Sequence, residues 1–220
     1  TNSHTWFYKG RSHLSLGCNE EAIGAFDNAI SLVPDFGEAH FYKGVAQFRL
    51  GKYPDAAQEF GEATRLMPDF IDAFREHGRS LALVGRYQEA VEAFDRVLSA
   101  LPRDLTALYG QARAFDHMGS YKDAVSLYSR VNRVEPACER AFFYKGFAHI
   151  LLHQYDEAVD AFARTIEINP QNVEAWQEKG RALIVLEKFE SAVEAFDGYI
   201  AIRPENASIV FEKGLALTKL

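Results

Sequence analysis

Cysteine is scarce in this 220-residue chain. Cys18 and Cys138 are the two present, they form no C-x-x-C arrangement, and both are read as reduced thiols in or near a core rather than as a disulfide or metal ligands. No apolar run approaches the roughly 18 residues that a membrane-spanning helix needs. The first residues, Thr1-Asn2-Ser3-His4, carry no signal-peptide pattern, so the expected location is cytoplasmic and the sequon Asn206-Ala207-Ser208 carries little weight. Positive charge is not in excess: the formal net charge is −7, which argues against nucleic acid as the partner, because phosphate binding wants a positive field. There is no Gly-rich phosphate loop, no H-E-x-x-H, no G-x-S-x-G and no EF-hand loop, so neither catalysis nor a cofactor is expected. The seven histidines are scattered and are expected at surfaces and helix edges. His149 and His153, four apart, have only Glu187 as a further candidate ligand, too few for a zinc site, and no metal is expected.

Proline outside one series is almost missing too. Pro34, Pro68, Pro102, Pro136, Pro170 and Pro204 stand 34 residues apart, and Pro54 alone falls outside. A fixed period of this length marks a solenoid of stacked units. Aligned on the prolines, other columns appear. Gly10, Gly44, Gly78, Ala112, Gly146 and Gly180 lie 24 residues before a proline, and Gly214 continues their column. Ala22, Ala56, Ala90, Ala124, Ala158 and Ala192 lie 12 before, and Phe26, Phe60, Phe94, Tyr128, Phe162 and Phe196 lie 8 before. Small residues let two helices approach, and rings fill the space left between them. Apolar spacing such as Ala158, Val159, Phe162, Ile166 is helical. Acids such as Asp55, Glu89 and Asp123 mark the start of each second helix, where they complement the helix dipole, and the periodic prolines stop it. Gly17, Gly51, Gly85 and Gly119 suit left-handed caps at the end of the first helix. His153 and Glu187 replace glycine there, so those two turns are expected to close differently.

Gly…Ala…Phe…Pro in a 34-residue helix–turn–helix resembles the tetratricopeptide repeat (TPR). The match covers nearly the whole chain: repeats at 3–36, 37–70, 71–104, 105–138, 139–172 and 173–206, with 207–220 as a terminal helix, the whole of 1–220 forming a single array. Trp6 and Trp176 stand at the family's tryptophan position, with His40, Phe74, Leu108 and Phe142 as variants. The chain departs from the family just before the glycine, where leucine is usual and Lys9, Lys43, His77, Gln111, Lys145 and Lys179 stand instead. The resemblance implies an all-α, right-handed superhelical solenoid whose first helices line a concave groove. It also implies a non-catalytic scaffold that binds a peptide or helix of a partner protein.

Positions three before, one after and four after the central small residue share one face of the first helix. By the resemblance that face is the groove. The candidate site on it is Phe7, Arg11, Phe41, Phe48, Arg75, Arg79, Tyr109, Arg113, Phe143, Phe147, Ile150 and Arg181. Guanidinium groups at Arg75, Arg79 and Arg113, flanked by rings, would suit a segment with acids between apolar anchors. The alternative is that Arg75 and Arg79 pair with Asp72, Glu76 and Asp116 inside the array. The Lys and Asn that chaperone-binding relatives use to hold a terminal carboxylate are missing from the corresponding places, so that ligand is not expected. Ile209, Val210, Phe211, Leu215, Leu217 and Leu220 make the last helix apolar, which leads to the expectation of a longer parent chain or of self-association. A second function class stays open: the substrate-recruiting segment of a larger enzyme such as a glycosyltransferase.

Overall fold

The computed structural model describes residues 2–220, with thirteen α-helices and no strand among them. The first helices of the hairpins are α1 (Ser3–Ser15), α3 (Gly37–Arg49), α5 (Ile71–Leu83), α7 (Leu105–His117), α9 (Glu139–Leu151), α11 (Val173–Val185) and α13 (Ala207–Leu217). The second helices are α2 (Asn19–Leu32), α4 (Tyr53–Leu66), α6 (Tyr87–Ala100), α8 (Tyr121–Val134), α10 (Tyr155–Ile168) and α12 (Phe189–Ile202). The chain divides into two compact units, one ending at Met118 and one running Gly119–Leu220. In the first unit α1 to α7 pack in chain order, each on the next, and α1 also touches α3 while α5 touches α7. In the second, α8 to α13 pack in the same sequential way.

The small-and-ring columns are the contact that holds each hairpin. The rings of Phe26, Phe60, Phe94, Phe162 and Phe196 are fully buried, as are all six alanines of the neighbouring column. A Cβ placed on Gly146 would lie 2.7 Å from the Phe162 ring, and one on Gly180 would lie 2.6 Å from Phe196, so nothing larger than hydrogen fits without displacing the ring. The two cysteines are free and half-buried.

The turns after the first helices correct one expectation. His153 (φ 58°) and Glu187 (φ 56°) adopt the same left-handed geometry as Gly17, Gly51, Gly85 and Gly119. Their hydrogen bonds are the same as well. Gly51 N–H donates to Phe48 O at 3.0 Å and Lys52 N–H to Gln47 O at 2.9 Å. Glu187 N–H donates to Ile184 O at 3.0 Å and Lys188 N–H to Leu183 O at 2.9 Å. The paired bonds satisfy the last carbonyls of the helix, and packing of the two helices outweighs the steric cost of a Cβ in that conformation.

A second correction concerns the histidines, two of which are buried: His40 and His149. His40 on α3 anchors an ion cluster in the first unit. Its Nδ1 lies 2.7 Å from Glu59 Oε2 and its Nε2 lies 2.9 Å from the carbonyl of Pro34. Both ring nitrogens face acceptors, so only the imidazolium donates to both. Lys43 closes the cluster, with Nζ 2.7 Å from Glu59 Oε1 and 2.8 Å from Asp27 Oδ1. The bond to Glu59 raises the His40 pKa against the opposing effect of burial, helped by the Pro34 carbonyl and by Glu62. Burial pushes Glu59 up, but its bonds to His40 and Lys43 outweigh that and hold it below the usual carboxylate value. His149 Nδ1 lies 2.9 Å from Gln154 Oε1, whereas His153 Nδ1 lies 3.1 Å from the Tyr155 hydroxyl, so the two rings do not converge.

On α13, Ile209 is buried, while Val210, Phe211, Leu215 and Leu217 are exposed. No helix among the described residues is long and apolar enough to cross a membrane.

Three outcomes follow for stability. Gly146→Ala is expected to lose about 1 kcal/mol net in urea unfolding, because crowding of the Phe162 ring (about 1–3 kcal/mol) exceeds the gain in helix propensity (about 1 kcal/mol). Glu187→Gly is expected to gain about 1 kcal/mol by relieving the left-handed Cβ. The His40 contribution is complete below pH 6.5, its ordinary value, and is lost as pH rises through the raised folded value; that of Glu59 is complete above pH 4.5 and is lost as pH falls through its depressed folded value. Urea midpoints should therefore be highest between those limits and fall as pH rises above 6.5 through the raised folded value of His40, with a flatter alkaline limb in His40→Gln. An unchanged slope in that variant would dissociate the cluster from the pH dependence.

Candidate binding face of the first helices

In the first unit, turns of α1, α3, α5 and α7 carry the candidate residues Phe7, Arg11, Phe41, Phe48, Arg75, Arg79, Tyr109 and Arg113. Phe7 and Phe41 are largely within the core, at 7% and 9% exposure. Phe7 lies 4.9 Å from Phe36 and 5.7 Å from Tyr42 between ring centroids, and Phe41 meets Phe70 edge-on at 4.7 Å. Phe48 is half-buried and packs edge-on to Tyr53 at 5.2 Å. Tyr109 is also half-buried. Phe7 and Phe41 thus lie almost wholly in the hairpin interior, while Phe48 and Tyr109 divide their area between that interior and the face.

Most guanidinium groups of that face are already paired. Arg75 donates from Nε to Asp104 Oδ2 at 3.0 Å and also bonds Asp72. Its pKa is raised: burial opposes, and the two aspartates outweigh it. Arg79 bonds Glu76 at 2.8 Å while its guanidinium lies 4.9 Å over the Phe48 ring. Arg113 lies 3.9 Å from Asp116 and 3.5 Å from His117 Nε2. The pairing alternative raised by the sequence therefore describes Arg75 and Arg79, except that Asp104 rather than Asp116 is the second partner of Arg75. Arg11 differs: it is exposed and stacks 4.9 Å over Tyr42 and 5.8 Å over Phe7.

Some of these side chains border a cavity of about 330 Å³ between α3 and α5, lined by Phe41, Phe48, Arg49, Arg75, Glu76 and Arg79 among others. Its floor is aromatic and its rim alternates cations and carboxylates, a form that takes an apolar anchor and charge on either side of it. Arg49 was not among the sequence candidates. It donates from Nη1 to Leu14 O at 3.0 Å, which orders it at the cavity edge without neutralising it. The signal was available, since Arg49 is four residues after Val45, itself on the face.

In the second unit, α9 and α11 carry Phe143, Phe147, Ile150 and Arg181. Phe143 and Phe147 stand edge-on to each other at 4.9 Å, and Phe147 meets Phe162 at 5.5 Å. Both rings and Ile150 are half-buried against the Ala158, Phe162, Ile166 and Ala175 cluster. Arg181 forms a fork with Glu212, Nε to Oε2 at 2.9 Å and Nη2 to Oε1 at 2.7 Å, and bonds Glu178 at 3.0 Å. The Glu212 bonds raise its pKa, against a smaller effect of burial. Among the described residues no three His, Cys, Asp or Glu side chains are placed to hold a metal ion.

Comparison with known proteins follows the same lines. The tetratricopeptide-repeat profile matches residues 8–69 and 148–207, more than half of the 220 residues. The profile of anaphase-promoting complex, cyclosome, subunit 3 matches residues 84–165. No curated sequence matches the chain. Among solved structures, YrrB superposes with a TM-score of 0.73 at 21% identity over 86% of this chain and 98% of its own. MamA from Desulfovibrio magneticus RS-1 superposes with a TM-score of 0.70 at 20% identity over 77% of this chain and 96% of its own. A thermophilic TPR protein of Thermus thermophilus, TTC0263, gives a TM-score of 0.53 at 17% identity over 83% of this chain and 99% of its own. At such identities the likeness is one of fold, the all-α solenoid of helical hairpins. With helix order, hairpin packing and profile in agreement, the chain belongs to the tetratricopeptide-repeat family.

Proposed function

We propose that the chain is a protein-interaction scaffold that holds a peptide or helix segment of a partner protein on the face of its first helices. The observation that carries this reading is the cavity between α3 and α5, where Phe41 and Phe48 offer apolar area beside Arg49, Arg75 and Arg79. YrrB, described as a TPR protein with an unusual peptide-binding site, supports a peptide as the kind of ligand. The pairing of Arg75 and Arg79 with internal carboxylates shifts the recognition of an acidic group toward Arg11 and Arg49, whose guanidinium groups meet no carboxylate among the described residues. A segment with an aromatic or aliphatic anchor and a neighbouring Asp or Glu fits best. The anchor fills the cavity, and the acid bonds Arg49 or exchanges with Glu76 at Arg79.

Fluorescence anisotropy with a panel of labelled fifteen-residue peptides tests this, acidic residues flanking one apolar anchor against the same peptides with Lys in place of the acids. Acidic peptides are expected to bind the full chain, and Arg49→Glu and Phe48→Ala are each expected to weaken them about tenfold, equivalent to about 1.4 kcal/mol. Equal affinity of both variants and wild type for every peptide would remove the face from the reading.

A further inference from the structure

The polar column that sets this chain apart from its family has a rule of its own. From Lys43 onward, each member stands sixteen residues after a position on the preceding second helix. Where that residue is aspartate, the two bond. Lys43 Nζ lies 2.8 Å from Asp27 Oδ1, Gln111 donates to Asp95 Oδ1 at 2.6 Å, and Lys213, which extends the column, bonds Asp197. Lys179, sixteen residues after Ala163, instead lies over the Trp176 ring at 5.7 Å, and Lys9 lies over Trp6 at 5.0 Å.

Lys145 on α9 has neither kind of partner among the described residues. The residue sixteen before it is Ser129, whose hydroxyl donates to Val125 O at 2.8 Å. Three repeats on from Glu59, which bonds Lys43, stands Ala161; three repeats on from His40 stands Phe142. Each acidic side chain that seats Lys43 is thus replaced by a small one around Lys145. The space vacated is a cavity of about 310 Å³, lined by Ser129, Phe142, Lys145, His149, Ala161 and Arg164. Lys145 is half-buried in it. Burial, with a smaller contribution from Arg133, pushes its pKa down, as expected of an ammonium removed from water without a counter-charge. Arg164 is held by Glu167 and by the Phe142 ring, so it closes one wall rather than competing for the centre. Exposed Glu157 and Asp160 lie on the rim, where they disfavour phosphate and other polyanions relative to a single carboxylate.

We propose that this cavity binds a carboxylate from outside the chain, seated on the Lys145 ammonium as Asp27 and Glu59 are seated on Lys43. The carboxylate comes either from an acidic side chain of a bound protein segment or from a small free monocarboxylic acid. The cavity shares no residue with the first-helix face, so it stands or falls independently of the groove.

The test follows the Lys145 Cε resonance by NMR of the full chain at constant ionic strength. The probes are sodium propionate, a helical peptide with one Glu, its Gln counterpart, and inorganic phosphate. The expected result is a saturable shift and a rise of the Lys145 pKa with propionate or with the Glu peptide, and none with the Gln peptide. Saturation by propionate assigns the site to a free acid, and response to the Glu peptide alone assigns it to a protein side chain. Ser129→Asp, which restores the internal carboxylate, should weaken binding at least about tenfold by the same resonance, and Lys145→Met should do so in isothermal titration with the carboxylate that saturates the wild type. A Lys145 signal indifferent to both carboxylates, an equal response to phosphate, or unchanged binding in Ser129→Asp would overturn the proposal.

Discussion

The contact on which everything else depends is an aromatic ring lying against a helix backbone that has no side chain at that point. Phe26, Phe60, Phe94, Phe162 and Phe196 are each fully buried against the glycine of the first helix of the same hairpin. That approach sets the distance between the two helices, and with it the orientation of every other position on both. Helix propensity is sacrificed at those glycines, and dispersion with the ring offsets it. One edge of the first helix is thereby turned toward the next hairpin. Another carries Arg11, Phe48 and Arg79, and a third carries the polar column of Lys43 and Lys145.

Much of this was written in the sequence, because the period repeats the same information many times over. The columns placed the ring, its glycine and the terminating proline, and helices α4, α6, α8, α10 and α12 begin at Tyr53, Tyr87, Tyr121, Tyr155 and Phe189, which are themselves 34 residues apart. What escaped depends on pairs that no column announces. His40 stands at a position where the family has tryptophan, and only the meeting of Glu59, Lys43 and the Pro34 carbonyl in space makes it a buried cation. Arg75 reaches Asp104 from a different hairpin. His153 and Glu187 lacked the glycine that a left-handed turn favours, yet the turn forms, because hydrogen bonding and tertiary packing override a local preference of about 1–2 kcal/mol.

The candidate binding residues divide in the same way. Their membership of one helix face followed from spacing alone, whereas their electrostatic state did not. Arg181 stands on that face, but the Glu212 fork occupies it. Arg11 stands on the same face with its charge over two rings. Equal residue types in equal columns therefore offer a visitor different chemistry, and the difference lies in whether a carboxylate of the same helix or of the next hairpin comes within reach. Such variation lets one scaffold present a non-repeating surface from a repeating backbone.

Sequential packing also bears on how the molecule reaches its native state. Within each unit a helix meets its neighbours in the chain and, at α1 with α3 and α5 with α7, one beyond. Contacts of such short sequence separation require little loop closure, which places folding of each unit among the fast, low-contact-order cases. A single hairpin could then open while those further along stay closed, so protection against hydrogen exchange should vary from hairpin to hairpin, being greatest where Asp27, Lys43, Glu59 and His40 tie adjoining helices together.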